Sequence, residues 1–217
     1  MEQKSPNTNE PKGIFDQHIH LAKALEEAAK AGAKAEHDAT HDSLVKDALN
    51  RRGLEKYLES AVSPQAILVV DATNFKAVND YHGYESGNKL IVDTYNMLRE
   101  SVRPNDVIAR LGGDEFVIVL AHVGNGSELN GDKTPRSLKP IDHIDDVKAR
   151  VAKVVEKYLD ERPALRTSPI NFDLAVGGVE WSGSTEISEL MAQAEADMKA
   201  HKDRQHQRGQ HRPAYSL

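Results

Sequence analysis

The chain has 217 residues, 39% hydrophobic and 29% charged, with a formal net charge of −6 and no cysteine. That balance fits one globular domain plus an appendage, excludes a disulfide framework, a thiolate metal site and a thiol nucleophile, and argues against non-specific nucleic-acid binding. The longest apolar runs, Ala66–Val70 and Phe116–Ala121, are too short to cross a membrane as helices, and residues 1–12 hold no signal-peptide core, so a cytoplasmic protein with neither nucleic acid nor membrane as partner is expected.

Residues 1–12 are polar and predict a disordered tail. From Ile14 to about Asp38, Ala, Glu, Lys and Leu dominate and predict a helix. Within it Ile14, His18, Leu21, Leu25, Ala28, Gly32 and Ala35 recur at alternating spacings of four and three. That stripe suits a short coiled coil, and equally a lone helix packed on its own domain. A second helix is predicted over Ser43–Glu59, with Asn50-Arg51-Arg52 near its middle, and Pro64 then punctuates the chain. The apolar run ending at Asp71 predicts a buried strand over Ala66–Asp71. Leu90, Ile91, Tyr95 and Leu98 give helical spacing between Gly83 and Ser101, and Arg103-Pro104-Asn105-Asp106 reads as a turn.

Two β-branched strand halves follow, Val107–Leu111 and Phe116–Leu120, around Gly112-Gly113. A Gly-Gly pair suits a tight hairpin, because primed turns need φ > 0. Asp114 and Glu115 come immediately after it, at a glycine-bared tip that a large ligand can approach closely. Residues 122–140 lack apolar periodicity and predict a surface loop. A helix over Ile141–Asp160, a strand over Phe172–Trp181 and a helix over Ser184–Lys202 complete the series, before a His/Arg/Gln-rich tail. The order β-α-β-β-α-β predicts an α+β, ferredoxin-like (palm-type) domain. Its antiparallel sheet would have about five strands flanked by helices, preceded by the N-terminal helix. The expected divisions are a 1–12 tail, a 13–41 helical segment, a 42–208 domain and a 209–217 tail. An acid at the end of a buried strand is costly unless paired or metal-bound, and this sheet would bring Asp71 beside Asp114. The pair suits hard divalent cations that bridge nucleotide phosphates, or ordinary strand-end capping.

Asp71-x-x-x-Phe75-Lys76-x-x-Asn79-Asp80-x-x-Gly83-x-x-x-Gly87, followed by Arg110-Leu-Gly-Gly-Asp-Glu-Phe116, resembles the GGDEF domain of diguanylate cyclases. His41-Asp42-Ser43-Leu44 with Asn50-Arg51-Arg52 is similar to that family's opening segment, and Leu190-Met191 through Ala194 to Lys202 resembles its final helix. The resemblance implies condensation of two GTP into cyclic di-GMP and pyrophosphate across a homodimer. Asp71, Asp114 and the Ala72 carbonyl would hold two Mg²⁺ (or Mn²⁺) per half-site, and Asp114 would help deprotonate the attacking 3′-hydroxyl. Glu115 would support the site, Phe75, Asn79, Tyr84, Asn88 and His206 would line the substrate, and Lys202 would neutralise its phosphates. Arg103-x-x-Asp106 would be the product-inhibition site for cyclic di-GMP; without the resemblance it is a plain turn with a local Arg–Asp pair.

The departures from the family pattern cluster. Asn88 stands where an acid is usual, Tyr84 where His is usual, Lys199 where Tyr is usual, and Gln205-His206 where Gly-Arg is expected. Asn offers one accepting oxygen where guanine presents two N–H groups, and a neutral His is a poorer phosphate ligand than Arg. The expectation of a cyclase therefore stands beside two others: a cyclase that also uses ATP, and a degenerate domain acting as a receptor for GTP or cyclic di-GMP. His37 and His41, four apart, and the basic stretch Arg204–Arg212 are weaker candidates for metal and nucleic acid.

Overall fold

The computed structural model describes residues 12–61, 65–120, 143–162, 165, 170, 172–181 and 185–209, with side chains for all of these except 12–17, 65 and 206–209. Of the expected 1–12 and 209–217 tails, residues 1–11 and 210–217 lie outside them, as do the 122–140 loop and Pro64, while Lys12 and Gly209 are helical. The chain divides between Ala39 and Thr40 into two compact units.

Among the described residues the first unit is helix α1 (Lys12–Thr40) except its last residue, Thr40, which belongs to the second unit. Among the described side chains of the α1 stripe, Leu21 and Leu25 are 58% and 63% exposed.

The second unit carries α2 (Arg51–Ser60), β1 (Gln65–Ala72), α3 (Phe75–His82), α4 (Tyr84–Ser101), β2 (Val107–Gly112), β3 (Glu115–Leu120), α5 (Ile144–Asp160), β4 (Leu174–Trp181) and α6 (Ile187–Gly209). The strands form one antiparallel sheet in the order β2-β3-β1-β4. These are the four segments located by pattern, and no fifth strand occurs among the described residues.

Helices cover both faces of the sheet. Ala66, Leu68, Val70, Phe116, Ile118 and Val176 face Leu98 of α4 and Val147 and Val151 of α5. Ile67, Val69, Val117, Val119 and Ala175 face Leu54 of α2 and Leu190, Ala194 and Met198 of α6. Double coverage explains why β1 and β3 read as continuous apolar runs rather than as alternating ones. Gly177 and Gly178 let helices close on β4 from opposite sides. A Cβ on Gly177 would lie 2.0 Å from the Met198 nitrogen, and one on Gly178 would lie 2.8 Å from Ile144 Cγ2.

Two predicted helices need correction. Ser43–Glu59 is not one helix: residues 43–48 form bends and turns, and α2 begins only at Arg51. Side-chain groups there capture backbone N–H groups that a helix would have used. Asp42 Oδ1 accepts from Leu44 and Val45, and Asn50 caps α2 by accepting from Gly53 N–H at 2.9 Å. Leu49 is drawn instead to β2, donating to Ile108 O and accepting from Arg110 N–H. The segment after Asp71 contains a helix that periodicity missed: α3 spans eight residues, buries only Val78, and starts from Asn74 at φ 61°. Two turns with one buried residue leave no repeat to detect. The last helix also runs to Gly209, seven residues past its predicted end.

Candidate active site

The hairpin turn differs from the expected one by one residue. Gly112 pairs with Glu115 across β2 and β3, so the two loop residues are Gly113 and Asp114. Gly113 has φ 54° and Asp114 is not in the left-handed region, the pattern of a II′ turn. Gly112, at φ 144°, follows a register shift after Arg110. Asp114 thus sits in the turn itself and Glu115 opens β3, half-buried and exposed respectively.

Arg110 fixes that turn from the strand below. Its Nε and Nη2 donate to the Gly113 carbonyl at 3.0 and 2.7 Å. Its Nη1 meets Asp42 Oδ1 and Oδ2 at 3.1 and 3.0 Å. The two side chains are only 12% and 13% exposed. Spacing did not reveal this clamp, although Arg110 and Asp42 belong to the two motifs it ties together.

The central strand supplies the partner acid. Asp71 pairs with Glu115 on one side and Ala175 on the other, and Ala72 N–H donates to the Asp114 carbonyl at 3.4 Å. Asp71, Ala72, Asp114 and Glu115 are therefore gathered at one end of β1 and β3. From α6, Lys202 Nζ donates to Asp71 Oδ1 at 2.6 Å. Burial, and then the charge of Asp71, push the Asp114 carboxyl above the usual carboxylate range, with Lys202 acting in the opposite sense. Three carboxylates facing one ammonium leave negative charge in excess at this turn, which suits a hard cation. Among the described residues no group of three or more Asp, Glu, His or Cys side chains could hold a metal ion. A two-carboxylate set fits Mg²⁺, which keeps waters and borrows oxygens from substrate phosphates.

The remaining predicted residues lie on α3, α4 and α6 and in the turn before β2. Asn79, at the C-terminal part of α3, packs against the first turn of α4. A Cβ on Gly87 would lie 1.8 Å from Asn79 Oδ1, so that glycine makes room for the carboxamide. Asn88 is the next residue and is exposed, and Tyr84 is 83% exposed. Gly83, at φ 82°, makes the joint between the helices. Phe75 is half-buried against the core, which gives its ring a packing role. His206 lies in α6, where its side chain is outside the described set.

Arg103 and Asp106 form the turn before β2. Asp106 is 4% exposed, and its Oδ2 accepts the Arg103 N–H at 2.8 Å. Arg99 braces the same turn by donating to the carbonyls of Arg103 and Asp106. The Asp106 carboxylate thus caps the turn through the Arg103 backbone N–H. His37 is half-exposed beside Asp38.

Comparison with known proteins bears on this arrangement. The family model "Diguanylate cyclase, GGDEF domain" matches residues 39–208. The chain is 31% identical over 172 residues to the bifunctional diguanylate cyclase/cyclic di-GMP phosphodiesterase MucR of Pseudomonas aeruginosa, covering 76% of this chain and 22% of that protein. It is 35% identical over 103 residues to the diguanylate cyclase TpbB of the same species, covering 44% of this chain and 23% of that protein. The chain thus spans about a fifth of the length of these relatives. Among solved structures, the coiled coil and GGDEF domain of DgcB from Caulobacter crescentus, in complex with c-di-GMP, superposes with a TM-score of 0.65 at 19% identity, covering 88% of this chain and 95% of that one. With the family model matched over most of its length, the chain belongs to the GGDEF domain family of diguanylate cyclases.

Proposed function

We propose that this chain is a diguanylate cyclase unit that condenses two GTP into cyclic di-GMP and pyrophosphate, each GTP held by one protomer of a homodimer. The observation that carries the reading is the convergence of Asp71 and Asp114 from adjacent strands with Lys202 on Asp71 Oδ1. Asp71, Asp114 and the Ala72 carbonyl are the groups that would hold Mg²⁺ or Mn²⁺, two per half-site. Bound there, the metal would supply charge neutralisation at the α-phosphate and a lowered pKa for the attacking 3′-hydroxyl.

The chain's own groups then have separate tasks. Asp114, whose carboxyl holds its proton more readily than an ordinary one, is suited to accept the 3′-hydroxyl proton. Lys202 trades Asp71 for the triphosphate, and the glycines at 112 and 113 leave room for it. Glu115 supports the site from the start of β3. Asn79 meets the base, with Tyr84 and Asn88 at the open side of the pocket. Arg103 would meet product in feedback inhibition, with Asp106 shaping its turn. The exposed Leu21 and Leu25 on α1 support pairing of two copies.

A second reading concerns the base. Asn79 and Asn88 both offer carboxamides, each able to donate and accept, around Gly87. Such a pair suits adenine as well as guanine, so ATP is a candidate co-substrate. Incubating the dimeric protein with Mg²⁺ and GTP, ATP or both, and identifying products by mass spectrometry, tests both readings. Cyclic di-GMP from GTP is the expected result, and no product from any mixture would exclude turnover. Tight cyclic di-GMP binding without turnover, measured by calorimetry on nucleotide-free protein, would make the domain a receptor.

A further inference from the structure

Among the described residues β4 is an edge strand, and α6 deals with its unpaired backbone in a regular way. Asp197, His201 and Gln205 stand at i, i+4 and i+8 on one stripe of α6. Asp197 Oδ2 accepts the Gly178 N–H at 3.0 Å. His201 Nδ1 lies 3.0 Å from the Val176 nitrogen and 3.1 Å from its carbonyl oxygen. Gln205 Nε2 donates to the Leu174 carbonyl at 3.2 Å and to Asp173 Oδ2 at 2.8 Å. The strand positions 178, 176 and 174 are alternate residues, whose outward backbone groups share one edge.

The two repeats are commensurate. Four helical residues advance about 6 Å and two strand residues about 6.7 Å, so three successive contacts stay in register. Gly177 permits the close approach, since any Cβ there would meet α6 backbone at 2.0 Å. Lys148 of α5 holds the first rung from outside, donating to Asp197 Oδ2 at 2.6 Å. Lys202 follows His201 directly, and its ammonium reaches Asp71. A slip of α6 by one turn would displace that ammonium by about 5.4 Å.

We infer that this ladder sets the position of Lys202, with His201, the middle rung, as a positioning residue for the substrate phosphates. The inference rests on the cyclase reading for its chemistry and on the ladder for its geometry. In the neutral imidazole with its proton on Nε2, Nδ1 accepts the Val176 N–H and anchors the turn of α6 that bears Lys202. Leucine at 201 fills the space without that acceptor, whereas asparagine places an accepting oxygen near the Nδ1 position.

The test compares wild type, His201→Leu and His201→Asn, with far-UV circular dichroism verifying the fold. Lysine ammonium NMR at low temperature reads Lys202 directly, because an ammonium held on a carboxylate exchanges slowly enough to observe. The Lys202 signal is expected in wild type and His201→Asn and is expected to vanish in His201→Leu; its persistence in His201→Leu would overturn the inference. The second readout is kcat/KM for GTP, expected to fall on the order of 10-fold in His201→Leu through KM, and to recover in His201→Asn. In a Lys202→Ala background the same substitution should cost nothing further, because both act through one ammonium. Multiplying losses would overturn the proposal. No product from wild type would overturn the cyclase reading, and the ammonium signal would still decide this one.

Discussion

Arg110 and Asp42 lie 68 residues apart and form the ion pair that seats the GGDE turn, with the same guanidinium also holding the Gly113 carbonyl. The pair joins the segment leading into α2 with the tip of the β2–β3 hairpin. Through it a distant part of the chain bears directly on the position of Asp114.

Replacing either partner should therefore be costly. Both side chains are nearly buried, so Arg110→Ala leaves Asp42 uncompensated, and roughly 3 kcal/mol of stability should be lost. Arg110→Lys should recover only part of it, since an ammonium lacks the planar fork that reaches a carboxylate and a carbonyl together. Urea denaturation of the three proteins checks this. If the lysine variant were as stable as wild type, the fork geometry would be irrelevant.

Asp114 gives a prediction of opposite sign. Burial, and then the nearby Asp71 charge, raise its pKa in the folded chain. A carboxyl with a raised folded pKa favours the fold while it is protonated, below the unfolded value, and that contribution is lost as pH rises through the folded value. At pH 7 the charged form is thus a destabilising group, and Asp114→Asn should raise Tm by a few degrees. The gain should shrink at pH 4, where the wild-type carboxyl takes up its own proton. Turnover with GTP should fall below detection in the same variant. An unchanged or lowered Tm at pH 7 would contradict the electrostatic account of this site.

The sequence made the sheet legible because β1 and β3 carry apolar runs that double coverage by helices explains. It placed Asp71 beside Asp114 correctly, since a strand ending in an acid and a hairpin carrying an acid at its turn meet at the same end of the sheet in this topology. It missed what is specified by single contacts or by one buried residue rather than by a repeat. Asn50 looked like the middle of a helix, and only its bond to Gly53 N–H identifies it as a cap. Helix α3 was invisible because one buried residue, Val78, gives no period. The α6 ladder escaped for a similar reason: Asp197, His201 and Gln205 are polar residues at helical spacing, which in a sequence resemble a solvated face.

The Asn79–Gly87 contact predicts that Gly87→Ala is harmful despite alanine's better helix propensity. Alanine would favour α4 by about 1 kcal/mol in isolation. Its Cβ would stand 1.8 Å from Asn79 Oδ1, so the carboxamide must leave its position over residue 87. Calorimetry with GTP in the presence of Ca²⁺ should give at least a tenfold weaker affinity, with Tm changed by only a few degrees. Affinity equal to wild type would mean that Asn79 does not face the base.

Asn88→Asp asks which base the pocket prefers. Guanine presents N1–H and N2–H side by side, and a carboxylate accepts from both, while the present carboxamide offers one acceptor and turns its NH₂ toward a donor. A hydrogen bond to a charged acceptor contributes about 1.5–3 kcal/mol, with the lower end appropriate for an exposed position such as this, which corresponds to about tenfold in discrimination. The variant should accordingly raise the ratio of kcat/KM for GTP over ATP by about that factor, chiefly by improving GTP. Mass-spectrometric product ratios from equimolar GTP and ATP read the change directly. A ratio unmoved by the substitution would place the base away from the first turn of α4 and leave Asn79 as its reader.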